Sequence, residues 1–95
     1  MYYAFVGYDR PNGLPQRMAA RPEHLQHLES LGERLVLAGP FLDDKGDMVG
    51  SFMVIEAKSQ KDAEETFGRD PFVISGVFDS ITIKPWHLGI NNTRK

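Results

Sequence analysis

The chain contains no cysteine. That excludes a disulfide framework, thiol catalysis and any zinc or iron–sulfur site built on thiolates. Long apolar runs are also missing. The first residues, Met1-Tyr2-Tyr3-Ala4-Phe5-Val6-Gly7-Tyr8-Asp9, carry no basic segment, and their apolar stretch is too short for a signal peptide or a spanning helix. No block of one charge sign occurs, and 11 Lys and Arg against 13 Asp and Glu leave a net charge of −2. Neither a nucleic acid nor a membrane surface is therefore an expected partner. No glycine-rich loop opens a helix after a strand, so nucleotide binding has no support. Repeats and low-complexity segments are absent as well. What remains, 95 residues of which 41% are hydrophobic and 25% charged, reads as one small domain with room for one site. Its expected compartment is the cytoplasm.

The residues that are present alternate between strand and helix signals. Residues 2–8 are dense in aromatic and β-branched types and predict a strand. Arg10-Pro11-Asn12-Gly13-Leu14-Pro15 predicts a loop. A helix is expected over 16–32, with Leu25, Leu28 and Leu31 as its apolar stripe and Gly32 as its stop. Because Pro22 suits a first turn, the main helix is expected to begin near Arg21 after a separate short turn. Residues 35–41 and 48–57 predict a hairpin around the polar turn Asp43-Asp44-Lys45-Gly46-Asp47. Ser59-Gln60-Lys61-Asp62 has the form of a capping box opening a helix that ends at Gly68. Asp70-Pro71 starts a further short turn closed by Gly76, and 77–85 is the last strand. The order βαββαβ predicts an α+β, ferredoxin-like domain: a four-stranded antiparallel sheet with both helices on one face. Residues 1–88 form this domain, and 89–95 read as a flexible C-terminal tail.

The sheet's second face raises a question of partners. With helices on one side, the other side should be polar at alternate positions. The last strand obeys, with Ser80, Thr82 and Lys84 set against Val77, Ile81 and Ile83. The first strand offers Tyr2, Ala4, Val6 and Tyr8 on one face and Tyr3 and Phe5 on the other, and the third sets Phe52 and Val54 against Met53 and Ile55. An apolar sheet face needs a cover that this chain does not contain, and a homodimer joined through that face supplies it.

Chemistry-bearing residues gather on the first helix. Arg17, Arg21 and His24 continue the apolar stripe toward the helix N-terminus, so the stripe turns cationic there. Such an end either borders a pocket or emerges into solvent. Asp70 is explained by capping, yet it is also the carboxylate that would orient His24, fixing which imidazole nitrogen carries the proton. One oxygen can serve each role. Ser51 falls among apolar neighbours, as a tolerated core serine or a polar atom lining a ligand site. It lacks the surroundings of a nucleophile elbow. His24 and His27 would need a third ligand to hold a metal, and none is signposted.

Arg21-Pro22-Glu23-His24-Leu25, Gly39-Pro40, Gly50-Ser51, Asp70-Pro71-Phe72, Gly76-Val77-Phe78 and Ile83-Lys84-Pro85-Trp86, in that order, resemble the YciI-like (YCII-related) family over residues 2–86. The resemblance implies a dimeric α/β barrel of the ferredoxin-like type. Most members have no assigned activity. They are regarded as enzymes because a histidine and an aspartate meet in a pocket, and one relative is a dehydrochlorinase of a chlorinated hydroxyquinol. The matched motifs put that pair on His24 and Asp70, and a pocket serine on Ser51. The expected function is general acid–base chemistry on a small anionic or phenolic molecule: elimination, isomerisation or dehydrochlorination. His24 would move the proton and Asp70 orient it; Arg17 or Arg21 would hold an anionic group and Ser51 would add a hydrogen bond. No cofactor or metal is expected. The alternatives are a dimeric ligand-binding protein without catalysis and a purely structural dimer.

Overall fold

The computed structural model describes residues 1–93. Its elements are β1 (Tyr2–Asp9), α1 (Leu14–Ser30), a 3-10 turn (Gly32–Arg34), β2 (Leu35–Leu42), β3 (Met48–Glu56), α2 (Gln60–Gly68), α3 (Pro71–Ile74) and β4 (Phe78–Trp86). The strands form one four-stranded sheet, β2-β3-β1-β4, with every neighbouring pair antiparallel. This is the expected α+β, ferredoxin-like arrangement. Of the expected tail, residues 89–93 form neither helix nor strand, and Arg94 and Lys95 lie outside the described residues.

Side chains alternate across the sheet, as strand geometry requires. Tyr3, Phe5, Met53 and Ile55 point toward the helices and join Leu28, Phe67, Phe72 and Phe78 in one core. Phe5 is fully buried, with ring centroids 5.1 Å from Phe67 and 5.2 Å from Phe78. Burying a side chain of this size contributes about 1.5–3 kcal/mol. Gly7 leaves the space for it: a Cβ there would stand 2.8 Å from both the Phe5 and the Phe78 ring.

The opposite face carries a row of aromatic rings. Tyr8 stacks on Phe41 at 5.5 Å, Phe41 lies 6.5 Å from Phe52, and Phe52 lies 6.4 Å from Trp86. Only β4 gives this face a polar run, with Ser80, Thr82 and Lys84 opposite Tyr8, Val6 and Ala4. Both α1 and α2 pack on the other side, around the core.

The first helix corrects the sequence reading. It begins at Leu14 and continues through Pro22 to Ser30, rather than starting near Arg21 after a separate turn. Pro15 takes the first-turn position that suits proline. Pro22 then withholds one N–H from the carbonyl of Met18, and the buried contacts of Arg17 and His24, on either side of it, offset that loss. Leu25, expected in the apolar stripe, is 44% exposed. Gly32, at φ 57, stands just past the C-cap Leu31, where a left-handed residue ends the helix.

The two later helix starts follow their caps. The Asp62 N–H donates to Ser59 Oγ at 3.1 Å, while the Asp62 carboxylate reaches back past Ser59 to accept from the Lys58 N–H at 3.0 Å. That amide holds the Asp62 carboxyl below its ordinary value, with help from the charges of Arg34, Lys58 and Arg69 and against the effect of burial. Asp70 caps α3, Pro71 opens it, and Gly76 at φ 73 turns the chain into β4.

Candidate active site

α1, the end of β1, β3 and the start of α3 converge at one end of the core. His24 projects from α1 and is 7% exposed. Its Nδ1–H donates to Asp70 Oδ1 at 2.8 Å and to Oδ2 at 2.9 Å. Asp70 is fully buried, and its Oδ1 also accepts the Phe72 N–H at 2.9 Å. One carboxylate thus caps a helix and grips an imidazole, with Oδ1 shared between the two contacts rather than one oxygen given to each. Phe72 locks the ring from its face: the centroids lie 3.8 Å apart and the planes differ by 11°.

A carboxylate only accepts, so Nδ1 carries a proton, and in the neutral imidazole Nε2 is then the nitrogen with the lone pair. Nε2 has no hydrogen-bond partner among the described residues. No buried side-chain nitrogen or oxygen among them lacks a partner, so Nε2 is not sealed in the interior. It is open to a cavity of about 160 Å³ that His24 lines together with Arg17, Arg21, Leu25, Pro40, Ser51 and Met53. Asp70 does not line this space but stands behind His24.

Arg17 is buried to 2% exposure, and its Nε and Nη2 donate to Asp9 Oδ2 and Oδ1 at 2.8 and 3.1 Å. Nη2 also donates to Ser51 Oγ at 2.6 Å. The guanidinium carbon lies 4.6 Å from the Phe72 ring centroid. Nη1 is the one arm of Arg17 with no partner among the described residues. Arg21, half-buried on the rim, makes no ion pair or side-chain hydrogen bond among them. His27 is half-buried, and no group of three or more His, Asp or Glu side chains among the described residues is arranged to hold a metal ion.

Size alone does not select this cavity. A depression of about 760 Å³ lies between Met1-Tyr2 and Trp86-His87-Leu88. Its carboxylate, Glu56, is taken by the Met1 amino group at 3.1 Å, and it holds no carboxylate–imidazole pair of the kind His24 makes. The smaller cavity has converging donors and an acceptor of proton-transfer type, which is the better mark of a site.

Two residues of this end escape sequence reasoning. Asp9 ends a strand directly before Arg10-Pro11, and nothing local distinguishes it from any aspartate at a loop edge. Phe72 stands in the sequence only as part of Asp70-Pro71-Phe72; that it is buried and faces His24 and Arg17 is a tertiary fact.

Residues 1–87 match the YCII-related domain family. The chain belongs to that family. Its relatives include an uncharacterized protein of Haemophilus influenzae, 33% identical over 94 residues, and protein YciI of Escherichia coli, 32% identical over 94 residues. Each match covers 90% of this chain and 96% of the relative. Among solved structures, the chain is similar to the 5-chloro-2-hydroxyhydroquinone dehydrochlorinase of Burkholderia phenoliruptrix in complex with 2,5-dihydroxybenzoquinone. That similarity has a TM-score of 0.84 at 32% identity, over 92% of this chain and 94% of that one. A NIPSNAP family protein of Agrobacterium tumefaciens, at 14% identity and a TM-score of 0.55, covers 98% of this chain and 97% of that one and shares the fold alone.

Proposed function

We propose that this YCII-related protein performs general acid–base chemistry on a small anionic or phenolic molecule, with His24 as the proton-transferring group and Asp70 as its orienting partner. One observation carries the reading: a buried imidazole is gripped at Nδ1 by a buried carboxylate while its other nitrogen is open to a cavity. In an elimination, Nε2 accepts a proton from the substrate, the electrons of the broken bond form a new π bond, and the leaving group departs with its own pair. With chloride as leaving group this is a dehydrochlorination, the activity of the similar Burkholderia enzyme. Isomerisation uses the same first step and returns the proton elsewhere. Arg21 and the free Nη1 arm of Arg17 supply positive charge for an anionic group, and Ser51 supplies a hydrogen bond. The cavity volume suits a single ring, since about 150 Å³ accommodates benzene in an engineered protein cavity. One positioned base contributes about 10²–10⁴-fold.

The test is a turnover screen of chlorinated hydroquinones, enol-lactones and activated carbonyl compounds with the wild type and His24→Ala. Circular dichroism verifies that the variant remains folded. Turnover by the wild type that falls about 10²–10⁴-fold in the variant is the expected result. No turnover of any compound, with ligand affinity kept in His24→Ala, would leave a binding protein instead of an enzyme.

The working unit of this reading is a homodimer, in which a second copy covers the row Tyr8, Phe41, Phe52 and Trp86. Sedimentation is expected to give twice the chain mass, and Phe52→Glu is expected to give monomers. A wild-type monomer at micromolar concentration would remove the dimer from the reading.

A further inference from the structure

Ser51 Oγ accepts from Arg17 Nη2 at 2.6 Å. A serine hydroxyl has one proton to give, and among the described residues Ser51 gives it to no protein acceptor. Ser51 is 3% exposed and lines the cavity that His24 lines. An oxygen that accepts from a guanidinium is a stronger donor through its own proton, because successive hydrogen bonds polarise one another. Arg17 is available for this because Asp9 holds it by two parallel bonds. Asp9 in turn is set by a bulge: Tyr8 pairs with Ser80 but Asp9 pairs with Phe78, so Asp79 is skipped. Bulges of this kind re-aim side chains beside functional sites.

We propose that Asp9 is a positioning residue of this pocket, fixing Ser51 through Arg17 as a hydrogen-bond donor to a phenolate, enolate or carbonyl oxygen of the bound molecule. The inference rests on the reading that a small organic molecule occupies the cavity. It adds a direction to the site: the ligand's oxygen lies toward Ser51, and the proton it surrenders lies toward His24. A merely structural Asp9–Arg17 pair would influence binding, if at all, independently of the Ser51 hydroxyl.

Calorimetric titration with 2,5-dihydroxybenzoquinone, 4-chlorocatechol and salicylate tests this on the full chain. Ser51→Ala is expected to weaken binding about tenfold, the worth of one hydrogen bond to a charged oxygen. Asp9→Asn is expected to weaken it to a similar extent in the wild-type background and to have no further effect when Ser51 is already alanine. Such non-additivity is what a double-mutant cycle reads as coupling. If Asp9→Asn does not fold, the paired replacement Asp9→Leu with Arg17→Met removes both charges together. It is expected to weaken binding at least as much as Ser51→Ala, since the Nη1 arm of Arg17 is lost as well, and to be indifferent to a further Ser51→Ala. Wild-type affinity in Asp9→Asn, or losses that multiply, would overturn the inference while leaving His24 and its turnover untouched. If the wild type binds none of the three probes, the ligand reading falls, and this inference with it.

Discussion

Two arginines flank α1 and make nearly the same contacts. Arg17, in its first turn, donates to the Asp9 carboxylate and to the Ser51 hydroxyl. Arg34, beyond its last turn, donates to the Asp62 carboxylate at 3.3 Å and to the Thr66 hydroxyl at 3.0 Å. The difference lies in what else those groups serve. Arg34 Nε closes the carbonyl of Glu56 at 3.2 Å, Asp62 accepts the Lys58 amide, and Thr66 Oγ1 donates to the Asp62 carbonyl at 2.8 Å. Every member of that cluster satisfies backbone, and its two charged side chains are about a third exposed, 38% and 31% for Arg34 and Asp62, with only the uncharged Thr66 buried. Among the described residues the side chains of Arg17, Asp9 and Ser51 satisfy no backbone group. They are buried, at 2% and 5% for the arginine and aspartate, beside an imidazole and a cavity. Taking two charges out of water costs several kcal/mol per ion before pairing. A buried polar cluster that no backbone atom needs points to the cavity as its reason.

The contrast breaks most sharply on Asp70. Asparagine caps a helix as well as aspartate does, so Asp70→Asn keeps the start of α3 and changes what His24 Nδ1 meets. Turnover is expected to fall about 10²–10⁴-fold, since an imidazole held in the wrong tautomer loses its base. Thr66→Val, the matching change at the Arg34 end, is expected to leave turnover unchanged. Steady-state kinetics on both variants decides it, and equal losses would dissolve the distinction.

Stability should separate the ends next. Asp9→Asn leaves a buried guanidinium without its counter-charge and is expected to cost about 3–5 kcal/mol in urea unfolding. Arg34→Met removes a half-exposed cation and is expected to shift the midpoint only slightly, as exposed pairs contribute little. Comparable shifts for the two variants would mean that the burial difference is energetically empty.

The same contrast explains what the sequence made legible. The strands announce themselves by β-branched and aromatic alternation, and the Asp43–Asp47 turn, the Ser59 cap and Asp70-Pro71 are local chemistry that local residues reveal. The Arg34 cluster is bound to caps and strand ends, so half of it is readable from Ser59-Gln60-Lys61-Asp62. The Arg17 end is different in kind. His24 and Arg17 are visible as polar residues in an apolar stripe, but Asp9 joins them only because β1, β4 and α1 meet in space. The break expected at Pro22 fails for the same reason: propensity is local, and the contacts of Arg17 and His24 that span it are not. Leu25 shows the converse, since a stripe assigned by spacing alone takes no account of where the core ends and the cavity begins.

Ser59→Ala removes the accepting oxygen for the Asp62 amide and is expected to cost about 1 kcal/mol. Turnover should not change, because the loss falls entirely on the backbone-serving end. Thermal unfolding and kinetics on one preparation check both statements, and lowered activity in a fully folded variant would tie α2 to the site.

The smallest effect is one of pH. The Lys58 amide, aided by Arg34, Lys58 and Arg69, holds the Asp62 carboxyl below its ordinary value against burial. A carboxyl lowered in the folded state contributes stability that is complete above its unfolded value, near pH 4, and is lost as pH falls through the folded value. Asp62→Asn should therefore be slightly less stable than the wild type at pH 7, with the difference closing below about pH 4. Urea midpoints at pH 7, 4 and 3 measure it. A gap that widened toward acid would reverse the sign. It would mean that protonation of Asp62 favours the folded chain, and that the cluster at this end does not exist to hold a carboxylate.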